Sequence, residues 1–456
     1  MKRWMWLGLA AVVVIAAAIS IIALPKGPEW TTSSPEALAE FQLALQAQMK
    51  LYYPDAIAHL MKAVELDPDF VMACVMLADY AKFDDRINGE ELVTKALAAD
   101  VGSLRPRERC YVERLRAIRD KRPEDADRIL SEYRERYPND PFALATEASH
   151  AFQRGDNENA ERLYRRLIEV GPNWVIAYNQ LGYLATAQGR FAEAEEHFTS
   201  YRFIAPDQAN PHDSLGELYL IVGRMPEAVQ SFETAIKIKP DFWDSYGHLV
   251  FARTLLEDFD GAAQAAAAPQ TVPNCPARLP EELSCTATCL EFEMNGRWRD
   301  VLDLRSSPCL SEVTPSEICP RIEHRAACQL GEWQLAQDIE AKAKAYLDQA
   351  RASRETMSHE EGMTPLLHMQ GVRLALSGDF AAAEKAFSQV DANLAYTNSY
   401  VGMGKLFNRL YLVETLLADG RDADAHKLLA EVRAVNPWLV ARFEESGLKM
   451  MGLPRG

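Results

Sequence analysis

Eight cysteines occur in this chain, and six of them fall between Cys275 and Cys328. Cys275 and Cys309 stand 34 residues apart, as do Cys285 and Cys319, so one Cys-x9-Cys step is used twice. Thiols in an even number suggest a disulfide framework if the chain is exported to an oxidising compartment. The spacing predicts Cys275–Cys285 and Cys309–Cys319, each tying a proline-containing loop to the helix after it, with Cys289–Cys328 as the remaining pair. Closing a loop of this size stabilises by about 2–3 kcal/mol in the chain-entropy account. The rival chemistry is zinc binding, with Cys285 and Cys289 offering two thiolates on one helical face. The compact Cys-x2-Cys pair that usually completes such a site is missing, so no metal site is expected. A Cys-x-x-Cys redox motif is also missing.

Other chemistry has no motif. The chain lacks the nucleophile elbow Gly-x-Ser-x-Gly, a phosphate-binding Gly-x4-Gly-Lys, and the zinc-protease His-Glu-x-x-His. His359-Glu360-Glu361 has no second histidine at helical spacing, and Glu193, Glu195 and Glu196 read as a solvated helix face. Neither catalytic residues nor a cofactor is expected. With 49 Lys+Arg against 66 Asp+Glu, the net charge of −17 offers no basic stripe for nucleic acid.

The elements that would position any site repeat along the chain. Pro138, Pro172, Pro206 and Pro240 are spaced by 34 residues, and Gly155, Gly189 and Gly223 keep the same step. So do Ala160, Ala194, Ala228 and Ala262, and Tyr164, Phe198 and Phe232. This register resembles the tetratricopeptide repeat, clearest in Tyr178-Leu181-Gly182-Gly189-Ala194-Phe198-Pro206. The resemblance implies an all-α fold, a right-handed superhelical solenoid of antiparallel helix pairs A and B. Each glycine would end helix A in a left-handed conformation. Each alanine would sit where A and B approach, each aromatic between neighbouring units, and each proline would close helix B. Gly296, Gly331, Gly378 and Gly420 suggest further A-to-B turns, for ten or eleven pairs in all. The expected organisation is degenerate units over 37–140, well-matched units over 141–266, Cys-rich irregular repeats over 267–328 and degenerate units over 329–456.

In this family, partners usually lie along the concave face lined by helix A. Carried onto this chain, that face holds Phe142, Ser149 and Phe152, then Asn179 and Tyr183, then Asp213 and Glu217. The basic residues that clamp a peptide carboxylate in chaperone-binding members are absent from these positions. An acidic, aromatic surface would suit a protein or peptide partner carrying a basic segment near Asp213 and Glu217.

The first residues suggest where this happens. Lys2 and Arg3 precede 21 uncharged residues, Trp4 to Leu24, ending at Pro25. That length spans a bilayer as a helix, and the flanking charges place residues 1–3 in the cytoplasm and the bulk outside. A transmembrane signal anchor over 4–24 and a linker over 25–36 are therefore expected, and a cleaved secretory peptide is the rival. The stretch Leu104–Glu113 followed by repeats resembles solenoids of bacterial signalling proteins. The reading is a membrane-anchored, extracytoplasmic scaffold of bacterial type. The alternative is a ligand-capture protein or enzyme whose site lies in the disulfide-pinned region 267–328.

Overall fold

Helix after helix in this chain ends in a residue with positive φ and restarts on a cap. The computed structural model describes residues 29–306, 318–352, 359–444 and 450–454, and these are helical without a strand. The expected span over 4–24 lies outside the described residues, among which no helix is long and apolar enough to cross a membrane. The chain divides into two units, Met1–Glu147 and Ala148–Gly456.

The first unit holds α1 (Pro35–Met49), α2 (Tyr53–Leu66), α3 (Val71–Asp79), α4 (Gly89–Ala98), α5 (Pro106–Arg119), α6 (Pro123–Arg136) and the start of α7 (Pro141–Gln153). Residues 29–34, expected as linker, are held tightly. Trp30 is 2% exposed and packs edge-on against Phe41 and Phe142, at 5.2 and 5.3 Å between ring centroids. Glu108, fully buried on α5, accepts the Thr31 N–H at 2.6 Å, the Thr31 hydroxyl, and the Arg105 N–H at 2.9 Å. One carboxylate thus caps its own helix and clasps the segment before α1.

The second unit continues with α8 (Asn157–Val170), α9 (Val175–Ala187), α10 (Phe191–Ile204), α11 (Asn210–Val222), α12 (Met225–Ile238), α13 (Asp244–Leu255) and α14 (Phe259–Ala267). Then come α15 (Leu279–Met294), α16 (Trp298–Asp303), α17 (Ile318–Gln329), α18 (Trp333–Ala352), α19 (His359–Leu376) and α20 (Phe380–Asn393). The last three helices are α21 (Ser399–Ala418), α22 (Asp422–Val435) and α23 (Pro437–Glu444).

Every glycine read as an A-to-B turn has positive φ, from Gly155 at 73° through Gly223 at 80° to Gly378 at 88° and Gly420 at 74°. The same register also holds Lys121 at 59° and Glu257 at 62°, one repeat before Gly155 and one after Gly223. The pattern that fades after Trp243 in sequence therefore persists in the backbone, with a strained non-glycine residue at the turn. Asp156, Asp258 and Asp379 follow three of these turns and cap the next helix, accepting from Asn159, Gly261 and Ala382 N–H.

The aromatics at the repeat step meet the next pair, as expected, with Phe232 5.2 Å between ring centroids from His248 on α13, and they also pack within their own pair. Phe232 lies against Gly216 of its own pair, where an added Cβ would stand 2.5 Å from Cε1. Phe387 faces Gly371 likewise, at 2.7 Å. The ring fills the space a side chain on helix A would take, so glycine and aromatic are one packing unit.

The cysteine pairing also differs. Cys285 is disulfide-bonded, whereas Cys275, Cys289, Cys319 and Cys328 carry thiols. Cys309 lies outside the described residues. Cys275 precedes the start of α15, and Cys285 lies six residues into that helix, about 9 Å further along its axis. Cys275 keeps its thiol, so the predicted Cys275–Cys285 bond is not made. The predicted Cys309–Cys319 and Cys289–Cys328 bonds are not made either. Cys289 faces Cys319 across the α15–α17 contact, and a hydrogen bond with that thiol raises its pKa. Cys328 lies about 13 Å further along α17, beside the His324 ring. Helix packing, not loop spacing, chose the neighbours.

The glycine–aromatic couple gives a signed test. Gly216→Ala is expected to cost about 1–3 kcal/mol by overpacking. Gly404→Ala, in α21 with nothing within 4 Å of the new Cβ, is expected to be neutral or gain up to about 1 kcal/mol. Urea-denaturation midpoints of the two variants would check the opposite signs.

Candidate functional site

Helix α11 carries the acidic pair expected on the inner face, and the pair is buried. Asp213 is 4% and Glu217 5% exposed, one turn apart. What meets them comes from this chain. His248 on α13 places Nδ1 3.0 Å from Asp213 Oδ1 and Nε2 3.5 Å from Glu217 Oε1. Ser245 donates its hydroxyl to Asp213 Oδ1 at 2.5 Å. Tyr183 on α9 donates its hydroxyl to Glu217 Oε2 at 2.6 Å and shares a 3.1 Å hydrogen bond with Ser214. Ser214 in turn donates to Asn179 Oδ1 at 3.0 Å.

The last member comes from 182 residues further along. Ser399, first residue of α21, donates its N–H at 3.0 Å and its hydroxyl at 2.9 Å to Glu217 Oε1. A second clasp lies at the other end of α11. The Asn436 amide donates to the Leu220 and Ile221 carbonyls at 3.1 and 3.0 Å, and its oxygen accepts the Leu439 N–H at 2.8 Å. The Leu220 carbonyl takes only a long 3.3 Å hydrogen bond from the Gly223 N–H, so Asn436 completes groups that the helix end leaves short of partners. Any Cβ on Gly223 would collide with Asn436. Arg442 on α23 adds an ion pair to Glu257. The C-terminal helices thus fold back onto α11 and α13, on the face expected to receive a partner.

The electrostatics follow from burial and proximity. Burial alone would lower the His248 pKa, but the Asp213 and Glu217 carboxylates outweigh it and raise it to about 9. At pH 7 His248 is an imidazolium shared by two carboxylates. Burial, then the charges of Glu217 and Asp213, push Tyr183 well above the ordinary tyrosine range, so it remains a donor. Burial and the Asp213 charge likewise raise the Asp244 pKa.

Asp213, Glu217 and His248 each bring one ligand atom within 4.8 Å of the others, a donor set of the type that holds divalent metals. The imidazole already bridges the pair, with Nδ1 on Asp213 and Nε2 toward Glu217. Both carboxylates are also occupied by Ser245, Tyr183 and Ser399 hydrogens. The cluster therefore acts as a hydrogen-bonded ion group that fastens α21 to α11.

The structure gathers Asn179, Tyr183, Asp213 and Glu217 into this network and leaves three predicted residues outside it. Phe142 is half-buried beneath the Arg107 guanidinium, 4.5 Å from its ring centroid. Ser149 is half-buried and Phe152 is 37% exposed on α7. The basic residue expected beside Asp213 and Glu217 from a partner is the chain's own His248, and burial closes the pair to a peptide. Sequence reasoning missed His248, Ser245 and Ser399. His248 stands one 34-residue step after Ser214 and was open to discovery by register. Ser399 carries no local signal.

Two outcomes follow. A folded-state pKa of about 9 against about 6.5 unfolded means the His248 contribution is fully present below pH 6.5 and is lost as pH rises through 9. Denaturation midpoints are expected to fall across that window by an amount of order 3 kcal/mol. His248→Gln should flatten the fall. Glu217→Ala strands the imidazolium and the Ser399 donors, at a cost of about 3–5 kcal/mol. Amide hydrogen exchange over 399–418 should accelerate in that variant and not in Phe152→Ala.

Comparison with known proteins agrees with the helix-pair geometry. Tetratricopeptide-repeat family models match residues 146–209 and 211–242. No curated protein matches the chain. Among solved structures, a tetratricopeptide repeat protein from Parabacteroides merdae is 15% identical, covering 60% of this chain and 98% of its own, with a TM-score of 0.39. The APC/C hetero-tetramer Cut9–Hcn1 is 15% identical, covering 91% of this chain and 76% of its own, with a TM-score of 0.44. Residues 146–209 and 211–242 are tetratricopeptide repeats, and that family is shown for this part of the chain.

Proposed function

We propose that the protein is a membrane-anchored scaffold that gathers protein partners on the extracytoplasmic side. Tetratricopeptide repeats suggest a protein–protein interaction role, and the chain offers no catalytic motif to set against it. The anchor is the run Trp4–Leu24, oriented by Lys2 and Arg3 before it and by Glu29, Glu36 and Glu40 after it. Four residues separate Leu24 from Glu29, a reach of roughly 14 Å. The clasp of Trp30 and Thr31 by α5 would then hold the first repeats close to the bilayer.

The observation that carries the binding role is the use the chain makes of its own repeats. The helix-A row of α9 and α11 holds a segment from elsewhere, since Glu217 takes the first turn of α21. Earlier in the same row, Phe152 is exposed and Ser149 half-buried, and this stretch is where an external partner would dock. An apolar anchor beside polar groups is the pattern of interface hot spots.

The test is proximity crosslinking of the full chain in native membranes, with Phe152→Glu as comparison. A defined partner set for the wild type, reduced at least tenfold in the variant, is expected. An unchanged set would move the interface off α7, and the absence of any partner would end the scaffold reading. Protease added to intact spheroplasts should digest the repeats; protection would place them on the other side of the membrane.

A further inference from the structure

The second unit holds an open cavity of about 1000 Å³, at the upper end of the range of small-molecule sites. Its walls come from α13, α15, α17, α19, α21 and α23, and from residues 450–452 near the end of the chain. Glu414 holds that last segment in place, accepting the Met450, Met451 and Gly452 N–H groups at 2.7, 2.6 and 3.1 Å. The walls are mainly apolar, with Phe251, Leu290, Ile322, Met369, Val372 and Phe407 among them.

The charged groups on these walls can be balanced one by one. Arg442 pairs with Glu257. Arg325 donates to Glu293 Oε1 at 2.7 Å, and its guanidinium stacks over Trp298 at 4.9 Å. His324 meets Glu340 at 3.0 Å, and Arg373 meets the same carboxylate at 2.7 Å. His368 accepts or donates at 3.1 Å with Asn408; burial and then Arg321 push its pKa down to about 3, so it is neutral. Arg321 remains. It makes no ion pair among the described residues, and its Nε is buried without a hydrogen-bond partner. The nearby Glu293 is already engaged by Arg325, so two guanidiniums share one carboxylate. Arg321 is half-buried, and it is a guanidinium on the cavity wall without a carboxylate of its own among the described residues.

We propose that this cavity binds a long-chain monocarboxylate, with its head group on Arg321 and its tail along the wall of Ile322, Met369, Val372 and Phe407. Arg321 has no carboxylate of its own, and a guanidinium engages a carboxylate through two parallel hydrogen bonds. A polar ligand would leave its groups unsatisfied against the apolar walls. The site is separate from the partner surface at Phe152, and neither depends on the other.

The test uses the full chain in its membranes and a hexadecanoic acid bearing a mid-chain diazirine, with the matching hexadecanol as the uncharged comparison. Photolysis should place acid adducts on the α19 and α21 peptides, competed by palmitate. Arg321→Met is expected to lower acid labelling at least tenfold and to leave alcohol labelling unchanged. Because it removes a half-buried guanidinium without a carboxylate of its own, the same variant should melt at an equal or higher temperature without ligand. Equal labelling by acid and alcohol, acid labelling indifferent to Arg321→Met, or no adduct on the cavity walls would each overturn the assignment. If the variant fails to fold, the acid-to-alcohol ratio on the wild type decides alone.

Discussion

A carboxylate on one helix holding the first turn of another, 182 residues away, is the contact on which the second unit depends. Glu217 receives two hydrogens from Ser399, one from Tyr183, and the field of the His248 imidazolium. Each of these groups is expensive to bury alone and acceptable only when all are present. The cluster therefore couples four helices, α9, α11, α13 and α21, in one arrangement. Asn436 works in the same sense at the far end of α11, where its amide reaches two carbonyls of the last turn.

That closure changes what a repeat array can do. A stack of helix pairs in contact only with neighbours is close to one-dimensional, and each unit can loosen on its own. Here α21 and α23 return to repeats that the chain left long before. The return covers the face that such arrays commonly offer to partners. It also gives the walls from α13 to α23 a shared interior, where the cavity lined by Arg321 lies. The first unit uses the same physics on a smaller scale, with Glu108 binding Thr31 and Arg105 together.

The cysteines illustrate why spacing can mislead. Two thiols ten residues apart suggest a closed loop, but most of those residues joined α15 and moved the ends apart along its axis. Cys289 and Cys319 became neighbours because their helices pack. The repeat period set which cysteines recur; the crossing of helices set which ones meet.

The repeat itself was legible from the residues alone. Its turns fell where Gly155, Gly189, Gly223, Gly378 and Gly420 stand, because a left-handed backbone is a local demand that glycine meets within its own residue. Helix starts on Asp156, Asp258 and Asp379 are local in the same way. The row of Asn179, Tyr183, Asp213 and Glu217 was also legible, since one period places them on one face. Their burial was not. It depends on Ser399, Asn436 and Arg442, whose positions follow from where the intervening helix pairs deliver the chain. Small angles between successive pairs accumulate over some 180 residues, and no short pattern encodes the sum. The clasp, the cavity and the place of Arg321 on its wall are therefore properties of the tertiary structure, while the helices that carry them were written residue by residue.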